Sequence, residues 1–178
     1  SVLALALYLC TGMIYAAVKA IREWATPLTP LNFTVLGLAL GAASGAALAA
    51  AMAPALVPAL AWLALAATAA GVITRGGQLW RNATLQGPTT LQTAIGVRHP
   101  RIVRSTQGLM SRTFNDREFS HGRTASFVLG VRWTAVLLGF LVPIAVLSAT
   151  QGRIGVGALA TIGIIQLTGL LAERWIFF

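Results

Sequence analysis

Between Glu23 and Arg75 the chain carries no charged residue, and most of that stretch is Ala, Leu, Gly and Val. Nothing else in the sequence constrains the fold as strongly. A bilayer core of about 30 Å is crossed by about 20 helical residues, so this stretch is long enough to cross twice. Inside lipid every backbone N–H and C=O must find a partner within the protein, which leaves helices and closed barrels. The apolar runs are unbroken rather than alternating, and that selects helices. The same texture predicts five spans, over 1–18, 31–53, 55–74, 126–149 and 154–175. The expected fold is an all-α integral membrane protein, a single membrane domain over 1–178 built as a bundle of five transmembrane helices.

Punctuation between the runs agrees with this division. "TPLTP" (26–30) separates the first two spans, because Pro removes a backbone donor and its ring clashes with the preceding turn. Pro54 makes a tight turn between the second and third, and Pro143 predicts a kink inside the fourth. Gly37, Gly41 and Gly45 recur every four residues, so they share one helix face. Such a face permits close helix packing, or it borders a slot for a ligand.

Charge reports orientation. The connection after the first span carries Lys19 and Arg22, and the turn at Pro54 carries no basic residue. The long connection 75–125 carries Arg75, Arg81, Arg98, Arg101, Arg104, Arg112, Arg117 and Arg123, while the turn near Gly152 carries Arg153 alone. Basic and nearly neutral connections alternate, as successive crossings require, and the basic ones are expected on the cytoplasmic side. A net charge of +9 raises the question of nucleic acid. No aromatic-and-basic nucleic-acid motif appears, and the membrane reading accounts for the charge, so no nucleic-acid partner is expected. Cys10 lies alone in an apolar run and has no CxxC partner. No span contains His, and no Cys/His spacing resembles a zinc or iron-sulfur site, so neither haem nor metal is expected in this chain. The sequence opens within an apolar run without Met and closes on "ERWIFF", so it is expected to be a fragment of a longer membrane protein.

The segment "SRTFNDREFSHGR" (111–123) is the most polar stretch. Anionic lipid attracts basic residues at about 1 kcal/mol each near the surface, which accounts for Arg but not for Phe and acids set among them. Phe beside mixed charge is the composition of an interface with an apolar centre and a polar rim. Arg112, Phe114, Arg117, Glu118, Phe119 and His121 are therefore candidates for docking a protein partner. Near the spans, Arg132, Gln166, Glu173 and Arg174 are the polar groups that could lie beside a quinone headgroup or tie helices together. Glu173 is expected to pair with Arg132 or around Arg174, because the fourth span starts and the fifth ends on the same side. No catalytic residue is assigned.

"MIYAAVKAIREWATPLTPLNF" (13–33), "TLQTAIGV" (90–97), "SRTFNDREFSHG" (111–122) and "LLAERWIFF" (170–178) together resemble the membrane anchor subunit of the dimethyl sulfoxide reductase family. The resemblance runs in order along nearly the whole chain, and "FNDREF" also looks like the variant in sulfite-oxidising relatives. It implies an eight-helix bundle without haem, of which this chain would be the last five helices. It implies a molybdopterin catalytic subunit and an iron-sulfur subunit with four clusters as partners, held at the bacterial inner (cytoplasmic) membrane. It implies electron exchange between those clusters and the quinone/quinol pool, menaquinone or ubiquinone, as in anaerobic respiration, with the direction left open. The family's His and Glu implicated in quinol binding belong to N-terminal helices that this sequence does not include. Glu173 and Arg174 match the acidic-plus-Arg element of its last helix, which implies a structural or quinone-proximal role. Two rival readings are a small-molecule transporter, with Arg132, Gln166 and Glu173 along its path, and a purely structural scaffold. The transporter reading lacks an inverted repeat and paired broken helices.

Overall fold

A computed structural model describes residues 2–19, 21–85, 96, 99, 123–150 and 155–177. The described residues are helical, without a strand. Helix α1 is Val2–Ala16, α2 is Leu28–Met52 and α3 is Val57–Thr84. Helix α4 is Ala125–Val136, α5 is Val142–Thr150 and α6 is Val156–Phe177. A π-helical turn, Leu137–Leu141, joins α4 to α5 into one rod, Ala125–Thr150. Among the described residues four helices are long and apolar enough to cross a membrane: Leu28–Met52, Pro54–Thr84, Ala125–Thr150 and Val156–Phe177. Helix α1 is apolar but shorter, at 15 residues. The protein is an all-α, multi-pass membrane protein.

The punctuation acts close to where it was expected, with local shifts. Pro27 caps α2, and Pro30 sits inside its first turn, where a missing N–H costs no helical bond. Helix α2 therefore starts ahead of residue 31. At the other end Ala53 leaves the helix (φ −150°, ψ 69°), and a single 3-10 turn, Pro54–Leu56, leads into α3. Thr124 caps α4, its hydroxyl accepting from the Phe127 N–H at 3.3 Å. Around Pro143 the chain forms the π turn. Pro143 cannot donate to the Gly139 carbonyl four residues back, and its ring crowds that carbonyl. The ladder widens instead, with the Val142 N–H donating to the Leu137 carbonyl. Helix α3 continues for ten residues past the expected end of its span at 74, through Arg75, Gly76 and Gly77. The apolar pattern alone assigns those residues to the loop.

Hydroxyls in the spans are absorbed by their own helices. Thr34, Thr68, Thr134, Thr150, Thr161 and Thr168 each donate to the carbonyl four residues back, at 2.7–3.0 Å. An apolar bundle can thus hold threonine without leaving a bare donor in lipid.

Helix α2 is central and packs on α1, α3 and α6; α6 packs also on α4 and α5. Its buried face is an alanine stripe, Ala39, Ala42, Ala43, Ala46 and Ala49. That stripe meets Val57, Ala61 and Ala64 of α3, Leu147 of α5, and Leu159 and Ile162 of α6. Without a hydrophobic drive between helices in lipid, such small residues allow the close van der Waals contact that holds a bundle together. The glycine triplet is not that face. Gly37 lies under the Tyr8 ring, a side chain at Gly45 would make ordinary contact with Leu60, and Gly41 faces open space. The tightest crossing is elsewhere. A methyl on Gly169 of α6 would overlap the backbone of Gly139 in the π turn. Outward, Trp62, Ile73, Trp80, Trp133, Ile164 and Leu171 are exposed, as a lipid-facing surface requires.

Candidate functional site

Helices α1, α3 and α6 end, and α2 and α4 begin, at one end of the bundle. Contacts between Trp24 and Phe177 and between Phe127 and Trp175 join those ends. Lys19, Arg22, Arg75, Arg81, Arg123 and Arg174 lie toward it, and the described residues of the opposite end carry no charge.

At the basic end the interior is polar. Glu173 of α6 is 3% exposed. Its Oε1 pairs with Arg75 Nε at 2.7 Å and its Oε2 with Arg174 Nε at 2.9 Å. Arg75 exists at this place because α3 runs past its apolar segment. Its Nη1 donates to Gln78 Oε1 at 2.9 Å, one turn further along. Gln78 is 1% exposed, and its Oε1 accepts also from Asn32 Nδ2 of α2 at 2.6 Å. Gln78 Nε2 donates to Thr29 Oγ1 at 3.2 Å, and Thr29 Oγ1 donates to the Trp24 carbonyl at 2.8 Å. Trp24 Nε1 donates to the Phe177 carbonyl at 3.0 Å, satisfying a carbonyl at the end of α6. The bonds therefore close a ring from α6 through α3, α2 and the first connection back to α6.

Aromatic rings wall this ring of bonds. Tyr15, Trp24, Phe33 and Phe177 stack or meet edge to face at 5.5–5.7 Å. The Arg174 guanidinium lies 4.0 Å from the Phe33 centroid and 5.2 Å from that of Phe177, within cation–π range. Two guanidiniums meet one carboxylate, so the cluster carries a formal surplus of one positive charge. Four of its atoms are buried without a hydrogen-bond partner: the donor Nη1 of Arg174, the acceptor Oδ1 of Asn32, and both oxygens of Glu173, which are held by ion pairs instead.

Gln166 lies seven residues before Glu173 on the same face of α6, about 10 Å along the axis at 1.5 Å per residue. It is fully buried, and its Nε2 donates to Thr68 Oγ1 of α3 at 2.9 Å. It is a separate polar tie. Arg132 lies on the exposed face of α4. The expected Glu173–Arg132 alternative is corrected: the partners of Glu173 are Arg75 and Arg174. Arg75 was the better placed cation because α3 packs along α2, beside α6, with its helix extended. The docking candidates Arg112, Phe114, Arg117, Glu118, Phe119 and His121 lie outside the described residues.

Sequence reasoning missed Arg75, Gln78, Asn32, Thr29 and Trp24. Arg75 followed by two glycines reads as the end of a helix. The available signal was spacing: Thr68, Arg75 and Gln78 fall on one helical face, at i, i+7 and i+10. Among the described residues no group of three His, Cys, Asp or Glu could hold a metal ion.

No protein-family model matches the chain, and no solved structure matches it. It is similar to a curated protein, the C subunit of sulfite dehydrogenase from Allochromatium vinosum. The two are 42% identical over 179 aligned residues, which cover 100% of this chain and 55% of the relative. The chain spans about half the length of that curated relative.

Proposed function

We propose that this chain is membrane-anchor sequence of a molybdopterin oxidoreductase complex of the dimethyl sulfoxide reductase type, one that carries electrons from sulfite to the quinone pool. The observation that carries the reading is the 42% identity, along the whole chain, to the C subunit of a sulfite dehydrogenase. A protein named as a subunit works with others. The partners on this reading are a molybdopterin catalytic subunit and an iron-sulfur subunit, docked on the cytoplasmic face of a bacterial inner membrane through the basic segment 111–123.

The chemistry divides between the chains of the complex. At the catalytic subunit sulfite and water become sulfate, releasing two protons and two electrons. The iron-sulfur partner conducts the electrons to the membrane. There quinone, an exchangeable substrate (menaquinone or ubiquinone), takes up two electrons and two protons to become quinol. The anchor's part is to bind the headgroup near the docked clusters. The ring of bonds at the basic end suits such binding. Arg174 Nη1 is a buried donor without a hydrogen-bond partner, and the rings of Phe33 and Phe177 pack against its guanidinium. Glu173, itself paired with Arg75, holds Arg174 in place.

Deleting the chain in its host tests the reading. Sulfite oxidation with an artificial acceptor should move from the membranes to the soluble fraction, and sulfite-dependent quinone reduction should disappear. Quinone reduction that survives the deletion would remove the basis for the assignment. Replacing Arg112, Arg117 and Phe119 together by Ala should release the iron-sulfur partner from washed membranes at normal anchor levels; unchanged retention would refute the docking role.

A further inference from the structure

Trp62 and Trp80 of α3 are 54% and 74% exposed. They are 18 residues apart, which is five turns, so they stand on one helix face about 27 Å from each other at 1.5 Å per residue. Exposed Trp gathers at the two interfaces of a bilayer whose hydrocarbon core is about 30 Å thick. Val72 and Ile73, exposed between them, are apolar. The pair thus fixes the depth of α3, and Trp80 marks the headgroup level at the basic end. Arg81, the next residue, lies at that level.

Arg81 is not a loose surface charge. Its Nη1 donates to the Arg22 carbonyl, 59 residues away in the chain, and to Asn82 Oδ1, each at 3.2 Å. Both hydrogens of Nη1 are thereby spent, and among the described residues Nε and Nη2 make no bond. Those two nitrogens form an edge through which Arg takes a phosphate by two parallel bonds. Gly77, one turn below on the same face, meets nothing where a side chain would stand, so an acyl chain can lie against the helix beneath the guanidinium.

The bond to its carbonyl seats Arg81 against Arg22, which is exposed, and Lys19 is exposed on the same connection. Among the described residues the acids are Glu23 and Glu173. Glu173 is held by Arg75 and Arg174, which leaves Glu23 alone against Lys19, Arg22 and Arg81. We propose that Arg81 and Arg22 bind the headgroup of one anionic phospholipid whose acyl chains run down the Gly77 side of α3. The depth set by Trp80 and the apolar surface below it select lipid over a soluble anion or an acidic protein. An anionic headgroup gains about five-fold in affinity per basic residue at a membrane surface. Arg81 and Arg22 together therefore favour anionic over zwitterionic lipid about twenty-five-fold.

The test uses the intact protein in mild detergent, with bound lipid counted by native mass spectrometry. The probes are phosphatidylglycerol and phosphatidylcholine with identical chains, and glycerol phosphate as a headgroup without chains. The wild type should bind phosphatidylglycerol about twenty-five-fold more tightly than phosphatidylcholine, and glycerol phosphate at equal concentration should not displace it. Arg81→Gln should cut the preference about five-fold, and adding Arg22→Gln should remove it. Arg123→Gln, at the same end but over the Phe127 ring of α4, should leave it unchanged. Bromine on the acyl chains of phosphatidylglycerol should quench the wild-type fluorescence, and Trp80→Phe, at an exposed position, should remove most of that quenching. Equal affinity for the two lipids, or displacement by glycerol phosphate, would overturn the lipid. A preference that survives the double variant, or that falls as far in Arg123→Gln as in Arg81→Gln, would overturn the site. Quenching untouched by Trp80→Phe would overturn it as well, and that measurement decides the matter if the arginine variants do not fold.

Discussion

The two halves of this bundle cohere by different chemistry. Toward the uncharged end, α2 meets α3, α5 and α6 through alanine, leucine, isoleucine and valine. Toward the basic end α2, α3 and α6 are joined by Glu173, Arg75, Arg174, Gln78, Asn32 and Thr29. The alanine half depends on shape, so it tolerates chemical change that conserves volume and resists added volume. The polar half depends on completeness, because each buried group was taken from water at a cost and is stable only with its partners. One half fails by overpacking and the other by subtraction.

Subtraction should have the largest effect. Glu173→Ala leaves Arg75 and Arg174 buried without a counter-charge, and removing one partner of a buried pair costs about 3–5 kcal/mol. The expected outcome, in denaturant titration of the detergent-solubilised protein, is a loss of that order. A loss below about 1 kcal/mol, the level of an exposed pair, would show that water reaches the cluster.

Overpacking comes next. Gly169→Ala drives a methyl into the Gly139 backbone, where no flexible side chain can yield, at about 1–3 kcal/mol. Ala46→Leu, on the fully buried stripe, should cost a similar amount, while Gly41→Ala, facing open space, should stay within about 0.5 kcal/mol. If Gly41→Ala proved as damaging as Ala46→Leu, the glycine triplet would be a packing face after all.

The smallest effect sharpens the contrast within the polar groups. Gln166→Leu removes a single neutral bond to Thr68, and hydrogen bonds between membrane helices average about 0.6 kcal/mol. Thr68 keeps its bond to the Ala64 carbonyl, so nothing is stranded on α3. A loss as large as that of Glu173→Ala would mean the deeper tie belongs to the same cooperative network.

Much of this was open to reading along the chain. Uninterrupted apolar runs announce helices, because lipid offers the backbone no other partner. Proline positions mark most of the breaks, and the spread of arginine marks which end is basic. Glu173, Arg174 and Gln166 stood out because a polar group in an apolar run is costly and needs a reason. Arg75 and Gln78 did not stand out, since they follow the apolar run and precede a polar stretch, and the pair Gly76 and Gly77 masks a helix whose one local trace is the spacing of Thr68, Arg75 and Gln78.

What the sequence determined by itself is therefore the class of structure: apolar helices suited to a membrane, and the polarity of the bundle's ends. These follow from hydropathy and backbone bonding, which act over one or two turns. The tertiary structure alone decided which polar groups meet. Asn32 and Gln78 are 46 residues apart in the chain, and Thr68 and Gln166 are 98 apart. Arg75 rather than Arg132 answers Glu173 because α3, not the outer face of α4, turns its polar edge toward α6. Such pairings depend on helix rotation and depth, and those are set by alanine and glycine contacts whose partners no local pattern names.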